Sequence, residues 1–351
     1  MRDPVVSMTK GIGIILMVVG HSGCPVFLHD FIYMFHMPLF FIMAGWCFKE
    51  TYLKSIPEFV FKKLKGLYVP YVVISLLFLL LHNIFVRLHL ETGTIYDFKD
   101  IVGISKSIIV SLHKHEQLLG AMWFIPQLLY SSIIAALLLK FVKNRIVLLL
   151  SLLTMTILSQ KFSLGIPYTG VGSVTFFAAA FYVMGSRLAK EANVCNINTC
   201  VICAMGIVVY VASIINPSSI FVKSPLWVLP YFCVAVIGTL VIINISTRVE
   251  KSQKEILMPL RDVLCYLGDN SIYILVLHFL AFKVVSFVSV KLLGLPIDRL
   301  SDFPVLEGGK IKCLWLMYSI AGLLIPVLLC MFYQGVKRCL VVKRHKAMAN
   351  V

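Results

Sequence analysis

Apolar runs long enough to cross a lipid bilayer follow one another almost end to end through these 351 residues. A helix needs about 20 mainly apolar residues to span the hydrocarbon layer. Ten candidate spans can be drawn, at about 9–26, 31–48, 67–89, 118–139, 146–160, 170–188, 197–215, 225–246, 266–290 and 311–336. No segment between them is long enough for a soluble domain. Apolar residues make up 60% of the chain and charged residues 14%, and the mean hydropathy is +0.93. Soluble domains hold roughly 45–50% apolar residues, and a soluble fold of this composition would leave large apolar patches in water. The expected fold is an all-α integral membrane protein of about ten transmembrane helices. Residues 1–340 form one multi-helix domain, and 341–351 form a basic tail.

The net charge of +16 raises nucleic-acid binding as a function, but its distribution argues against it. The charges sit in short loops between apolar runs rather than on one basic face. Counted by alternate loops, 21 of the 32 Lys and Arg residues fall on one side of the bundle, ten on the other, and Lys283 inside a span. The richer side is cytoplasmic by the positive-inside rule, which places both termini in the cytoplasm. The longest outward loops, about 90–117 and 291–310, mix acidic and basic residues. They are either an acceptor vestibule or ordinary solvated loops.

The first run reads as an uncleaved helix: Ser22-Gly23-Cys24 resembles the end of a lipoprotein cleavage box, but His21 stands where that box needs an aliphatic residue, and an apolar second run follows at once. Ten cysteines are present, among them Cys47, Cys203, Cys233 and Cys330 in apolar runs. They read as small buried apolar residues, and no metal-ligand spacing is found, so no metal is expected.

Ionisable groups inside spans are costly and therefore functional candidates. Lys10 and His21 are eleven residues apart, about 20° past three full turns, so they share one face of the first helix at a separation of about 16 Å. A basic entrance with a buried imidazole further along the same stripe suits an anionic substrate. A snorkelling lysine and a packing histidine are the ordinary alternative. In the second span, His36 stands in Phe35-His36-Met37-Pro38-Leu39-Phe40-Phe41, where Pro38 bends the helix and Ala44-Gly45 permits close packing. In the ninth, Asp269, Asn270 and Ser271 supply helix-start chemistry, followed by Tyr273 and His278. Lys62 and Lys65 are three apart before the third span and can share a face, as a phosphate clamp or as lipid anchors. Trp123 opens the fourth span as an interfacial or substrate-facing aromatic, and Gln127 could bond a hydroxylated substrate.

At these residues the chain resembles the family-3 membrane acyltransferases, which O-acylate bacterial glycans, over roughly 5–335. Lys10 and His21 are similar to the family's basic-x10-His motif, in Lys10-Gly11-Ile12-Gly13 to Val18-Val19-Gly20-His21-Ser22. Phe35 to Phe41 resembles its second-helix motif, Trp123-Phe124 its mid-chain Trp-Phe element, and Ser271-Ile272-Tyr273 to Leu277-His278 its late element. The Lys-Gly-Ile start is similar to the fucose 4-O-acetylase-like branch. Many relatives have arginine at Lys10, and arginine or mixed pairs at Lys62 and Lys65; lysine keeps the charge but not bidentate phosphate recognition. Many also have Asp where this chain has Ser7.

The resemblance implies an O-acyltransferase of the bacterial inner (plasma) membrane. It would move an acyl group, chiefly acetyl, from acyl-coenzyme A to a hydroxyl of a surface or lipid-linked glycan. No permanently bound cofactor is implied. Lys10, Lys62 and Lys65 would attract the donor's phosphates, with Lys10 also placed at the catalytic centre. His21 would act as general base or acyl carrier, with His36 and His278 orienting it or relaying the proton. Trp123, Gln127, Tyr273 and His278 would face the acceptor. The partners implied are the donor, a carbohydrate acceptor and membrane lipid, with homodimerisation left open. The rival reading is a proton-coupled glycan or lipid transporter, for which buried histidines are equally apt but a basic entrance matched to coenzyme A is not required.

Overall fold

The computed structural model describes residues 3–113, 116–167, 169–191, 193–252, 254–308 and 313–349, with side chains as far as Cys339. Arg2, Lys114, Lys310 and Lys312, which enter the charge asymmetry, and the side chains of the basic tail lie outside the described residues.

The described residues form fourteen α-helices joined by short turns, and their only β pairing is an isolated bridge between Ile166 and Val171. Helix α1 is Pro4–His21, α2 is Val26–Tyr33, α3 is His36–Trp46, α4 is Ile56–Lys63 and α5 is Val69–Arg87. Then come α6 (Phe98–Lys106), α7 (Phe124–Phe141), α8 (Arg145–Phe162), α9 (Ser173–Leu188) and α10 (Thr199–Ile215). The chain closes with α11 (Val228–Lys251), α12 (Met258–Asp269), α13 (Ser271–Leu292) and α14 (Leu314–Ala349). Each of the ten expected spans contains helix among its described residues. Among the described residues, eight stretches are long and apolar enough to cross a membrane: Pro4–His21, Val26–Trp46, Ile56–Arg87, Gln117–Phe141, Arg145–Phe162, Pro225–Lys251, Ser271–Leu292 and Leu314–Cys339. The other two, Ser173–Leu188 and Thr199–Ile215, are shorter apolar helices.

Three local departures from the expected spans have identifiable causes. The second span breaks at Phe35 (φ −148°, ψ −16°), so His36 opens a new helix instead of sitting mid-helix. Pro38, expected to bend that helix, instead falls in its first turn, where the missing N–H costs nothing. The third span begins eleven residues early: α4 and α5 are joined through a π-helical turn at Leu64–Tyr68. Pro70 supplies no N–H to the carbonyl one turn back, and a widened turn accommodates that gap. The ninth span starts at Ser271, because Asn270 separates α12 from α13. Asn270 does not cap α13. Its amide instead donates to Tyr266 O at the end of α12 and its carbonyl accepts from Gln334 of α14.

Small residues set the tightest crossings. A methyl group on Gly45 of α3 would meet the carbonyl oxygen of Tyr182 at 1.8 Å, and one on Gly185 of α9 would meet that of Ile42 at 1.9 Å. Backbones therefore touch where α3 crosses α9. Helix α1 lies against α12 in the same manner through Gly11 and Gly268. Hydrogen bonds pin α1 further: Ser7 Oγ donates to Asp269 Oδ1 at 2.7 Å, and Thr9 Oγ1 to Ser246 Oγ at 3.1 Å.

The outward surface is apolar, with Leu77, Leu80, Ile84, Ile207 and Ile214 all exposed, as a lipid-facing surface requires. This corrects the reading of the cysteines. Cys330 is buried, but Cys47, Cys203 and Cys233 are exposed. In a bilayer an apolar side chain can face lipid as well as core, and Cys47 instead borders two cavities.

Candidate active site

Helix α1 carries Lys10 and His21 on one stripe, and two cavities lie along it. The first, about 320 Å³, has Lys10 and Lys63 in its wall and is otherwise mostly apolar, including Ile14, Phe40, Phe124 and Leu128. The second, about 140 Å³, is bordered by His21, Tyr33, His36, Trp123, Ser219 and Phe221. Met17, Met37 and Leu275 belong to the walls of both. An apolar channel with cationic groups at one end thus abuts a histidine-lined chamber at the other.

The hydrogen bonds around the histidines fix their tautomers. His278, fully buried on α13, has Nδ1 3.1 Å from Ile274 O and 3.0 Å from Leu275 O. A carbonyl only accepts, so Nδ1 carries the proton and Nε2 the lone pair. That Nε2 lies 3.0 Å from His21 Nδ1, which must therefore donate. His21 is left with a basic, unprotonated Nε2. His36 is set the same way: its Nδ1 donates to Ile32 O at 2.9 Å, leaving its Nε2 a lone pair. Tyr33 sits between the two, with ring centroids 6.4 Å from His21 and 4.8 Å from His36. Phe279 stacks on His21 at 5.0 Å and closes that side.

The other expected residues are distributed unevenly. Trp123 packs on Phe221 at 4.6 Å and borders both the histidine chamber and a further cavity of about 310 Å³ that includes Gln127, His113 and Gly170. Gln127 reaches that wall with both ends of its amide engaged, donating to Gly170 O at 3.0 Å and accepting from Thr175 Oγ1 at 2.7 Å. His278 lies behind His21 and outside the cavity walls. Tyr273 is not in the walls either. It is two residues beyond Ser271, which is, and two helical steps turn it about 200° away, toward Tyr333 of α14 at 6.4 Å.

Among the basic residues of the third span, Lys63 enters the channel wall and Lys65 does not. Lys65 is exposed on the π turn. Lys62 donates to Tyr52 Oη at 2.6 Å and borders an adjoining cavity of about 330 Å³, whose wall also holds Lys63, Cys47 and Tyr182. The Lys63 ammonium lies over the rings of Phe59 and Tyr182, at 5.3 and 5.6 Å.

Sequence reading passed over Lys63, Tyr33 and Phe221. For Tyr33 a signal existed, since it precedes His36 by three residues. Phe221 arrives from a loop nearly two hundred residues away, with no local signature.

No curated protein and no solved structure matches this chain. The family model described as an acyltransferase domain, that of the family-3 acyltransferases, matches residues 6–335, nearly the whole chain. With its apolar helices and its histidine chamber, this multi-pass membrane protein therefore belongs to the family-3 membrane acyltransferases.

Proposed function

We propose that this membrane acyltransferase takes an acyl group, chiefly acetyl, from acyl-coenzyme A and transfers it to a hydroxyl of a surface or lipid-linked glycan. The observation that carries the reading is the shared wall at Met17, Met37 and Leu275, which joins a cation-ended apolar channel to a chamber holding two base-form histidines. An amphipathic, linear donor with an anionic head matches that channel. Lys10 and Lys63 attract the phosphates as point charges, with Lys62 at the adjoining cavity. The thioester then lies near His21. The acceptor occupies the chamber beside Trp123, Ser219 and Phe221, where an aromatic face and polar groups suit a sugar.

His21 Nε2 accepts the proton of the acceptor hydroxyl while its oxygen attacks the thioester carbonyl. The C–S bond breaks, and the thiolate takes the proton back from His21. The products are the ester and the free thiol. His278 holds the Nδ1–H of His21, so the lone pair stays on the working nitrogen. In this reading the protein lies in a bacterial plasma membrane with both termini cytoplasmic, and the donor enters from the cytoplasm.

The test follows thiol release and label transfer from radiolabelled acetyl-coenzyme A in membranes supplied with host glycan lipids. Base-labile label in the glycan, lost in His21→Ala at equal protein level, is the expected result. Well-folded wild type that releases no thiol across several donors and acceptors would overturn the reading.

A further inference from the structure

A second polar cluster lies apart from the histidine chamber, at the far end of α5. His82, Glu91 and Glu116 are all buried, at 3%, 3% and 6% exposure, and each offers one ligand atom within 4.8 Å of the others. His82 Nε2 is 3.1 Å from Thr94 O, so that nitrogen carries a proton and donates. Nδ1 faces the two carboxylates, at 2.7 Å from Glu116 Oε2 and 3.3 Å from Glu91 Oε2. Glu91 Oε1 accepts from Leu118 N at 2.8 Å, but its Oε2 is fully buried with no hydrogen-bond partner. A buried carboxylate oxygen without a hydrogen bond is expensive, and this one faces His82 Nδ1 at 3.3 Å inside the cluster.

We propose that His82 Nδ1, Glu91 Oε2 and Glu116 Oε2 bind a divalent cation of nitrogen and oxygen preference, such as Zn²⁺ or Mn²⁺. A His-carboxylate-carboxylate set suits these ions. With bonds of about 2.0 Å, tetrahedral ligand atoms lie about 3.3 Å apart, the separation of Glu91 Oε2 from Nδ1, whereas Glu116 Oε2, hydrogen-bonded at 2.7 Å, would move outward as an ion replaces the proton. The Thr94 carbonyl orients the imidazole as outer partners of metal-bound histidines do, and Tyr96 stacks flat on it at 3.7 Å. The role is structural. The ion ties α5 and the turn at Glu91 to Glu116, which stands at the start of the 3-10 turn Gln117–Trp123, and that turn brings Ala121 and Trp123 to the chamber wall. This inference does not depend on the acyltransfer mechanism.

The full-length protein, purified in detergent without chelator, tests it through metal content and thermal unfolding. About one ion per chain is expected, either as isolated or after loading with Zn²⁺ or Mn²⁺. EDTA should lower Tm, and an excess of roughly 100-fold over Kd should restore about 3–5 °C. Glu91→Gln, nearly isosteric, should abolish both the bound ion and the shift. Wild type that unfolds cooperatively with a Tm indifferent to EDTA and to both ions would overturn the proposal, as would equal metal binding by Glu91→Gln. In either case a Glu91→Gln variant at least as stable as wild type would mark a cluster held together by a proton.

Discussion

His278 Nε2 lies 3.0 Å from His21 Nδ1, with the two rings within 16° of parallel, although the residues stand 257 positions apart in the chain. Because His278 gives its own Nδ1 proton to the carbonyls of Ile274 and Leu275, it can only accept from His21. Its place is therefore that of a positioning residue. His21→Ala should lower the transfer rate by roughly 10²–10⁴-fold, the usual worth of a general base. His278→Phe should cost a smaller factor in kcat with donor KM little changed. His278→Gln, whose amide oxygen can still accept from His21 Nδ1, should restore part of it. Equal losses for Phe and Gln would show that accepting this proton is not what His278 does.

The channel wall separates the three lysines of the third span. Lys63→Gln should raise the donor KM several-fold with little effect on kcat, since its charge meets the head of the donor and not the reacting carbon. Lys65→Gln, on an exposed side chain, should change neither. Lys10→Arg should retain activity and Lys10→Gln lose it. Steady-state kinetics against acyl-coenzyme A concentration read all four.

Leu275 borders channel and chamber together. Leu275→Phe narrows the passage between them. Overpacking of this kind costs about 1–3 kcal/mol, so the variant should remain folded. It should bind donor normally yet transfer poorly, which competition binding alongside turnover would reveal. Weakened donor binding instead would mean that the two spaces do not divide the substrates in this way.

At the α3–α9 crossing, Gly45→Ala sets a methyl 1.8 Å from a backbone oxygen that no rotamer change can move aside. The helices must separate, at a cost of about 1–3 kcal/mol or more. Thermal unfolding in detergent should show a clear loss for Gly45→Ala and none for Gly66→Ala, where the added carbon meets nothing within 4 Å.

Glu50 is bonded by Lys190 and lies 2.7 Å from Arg145. The Lys190 hydrogen bond leads in holding its carboxyl below the ordinary range. The folded pKa is depressed, so the associated stability is present above about pH 4.3, the unfolded value, and fades as pH falls through the lower folded one. Glu50→Gln should lower Tm slightly at neutral pH, as an exposed pair does, and the gap should close in acid. A gap that widens in acid would contradict this sign.

What could be read from the sequence was what a single helix determines. Lys10 and His21 are placed together by rotation alone, and the apolar runs coincide with helix. Lys63 replaced Lys65 because a π turn breaks the simple three-residue spacing on which the pairing of Lys62 with Lys65 rested. Tyr273 turned outward because its helix began at Ser271 and its neighbours, not it, met the channel. The His278–His21 bond and the cluster of His82, Glu91 and Glu116 arise from tertiary assembly. Neither has a short ligand spacing that a sequence could display.

Helix α1 holds Lys10 and His21 on one rigid rod clamped against α12, so the interval between cation and imidazole, about 16 Å, is not adjustable. It acts as a ruler. In the proposed reaction a donor is gauged by the length between its anionic head and its thioester before its acyl group matters. A truncated thioester could reach the histidine or the lysine, but not both at once.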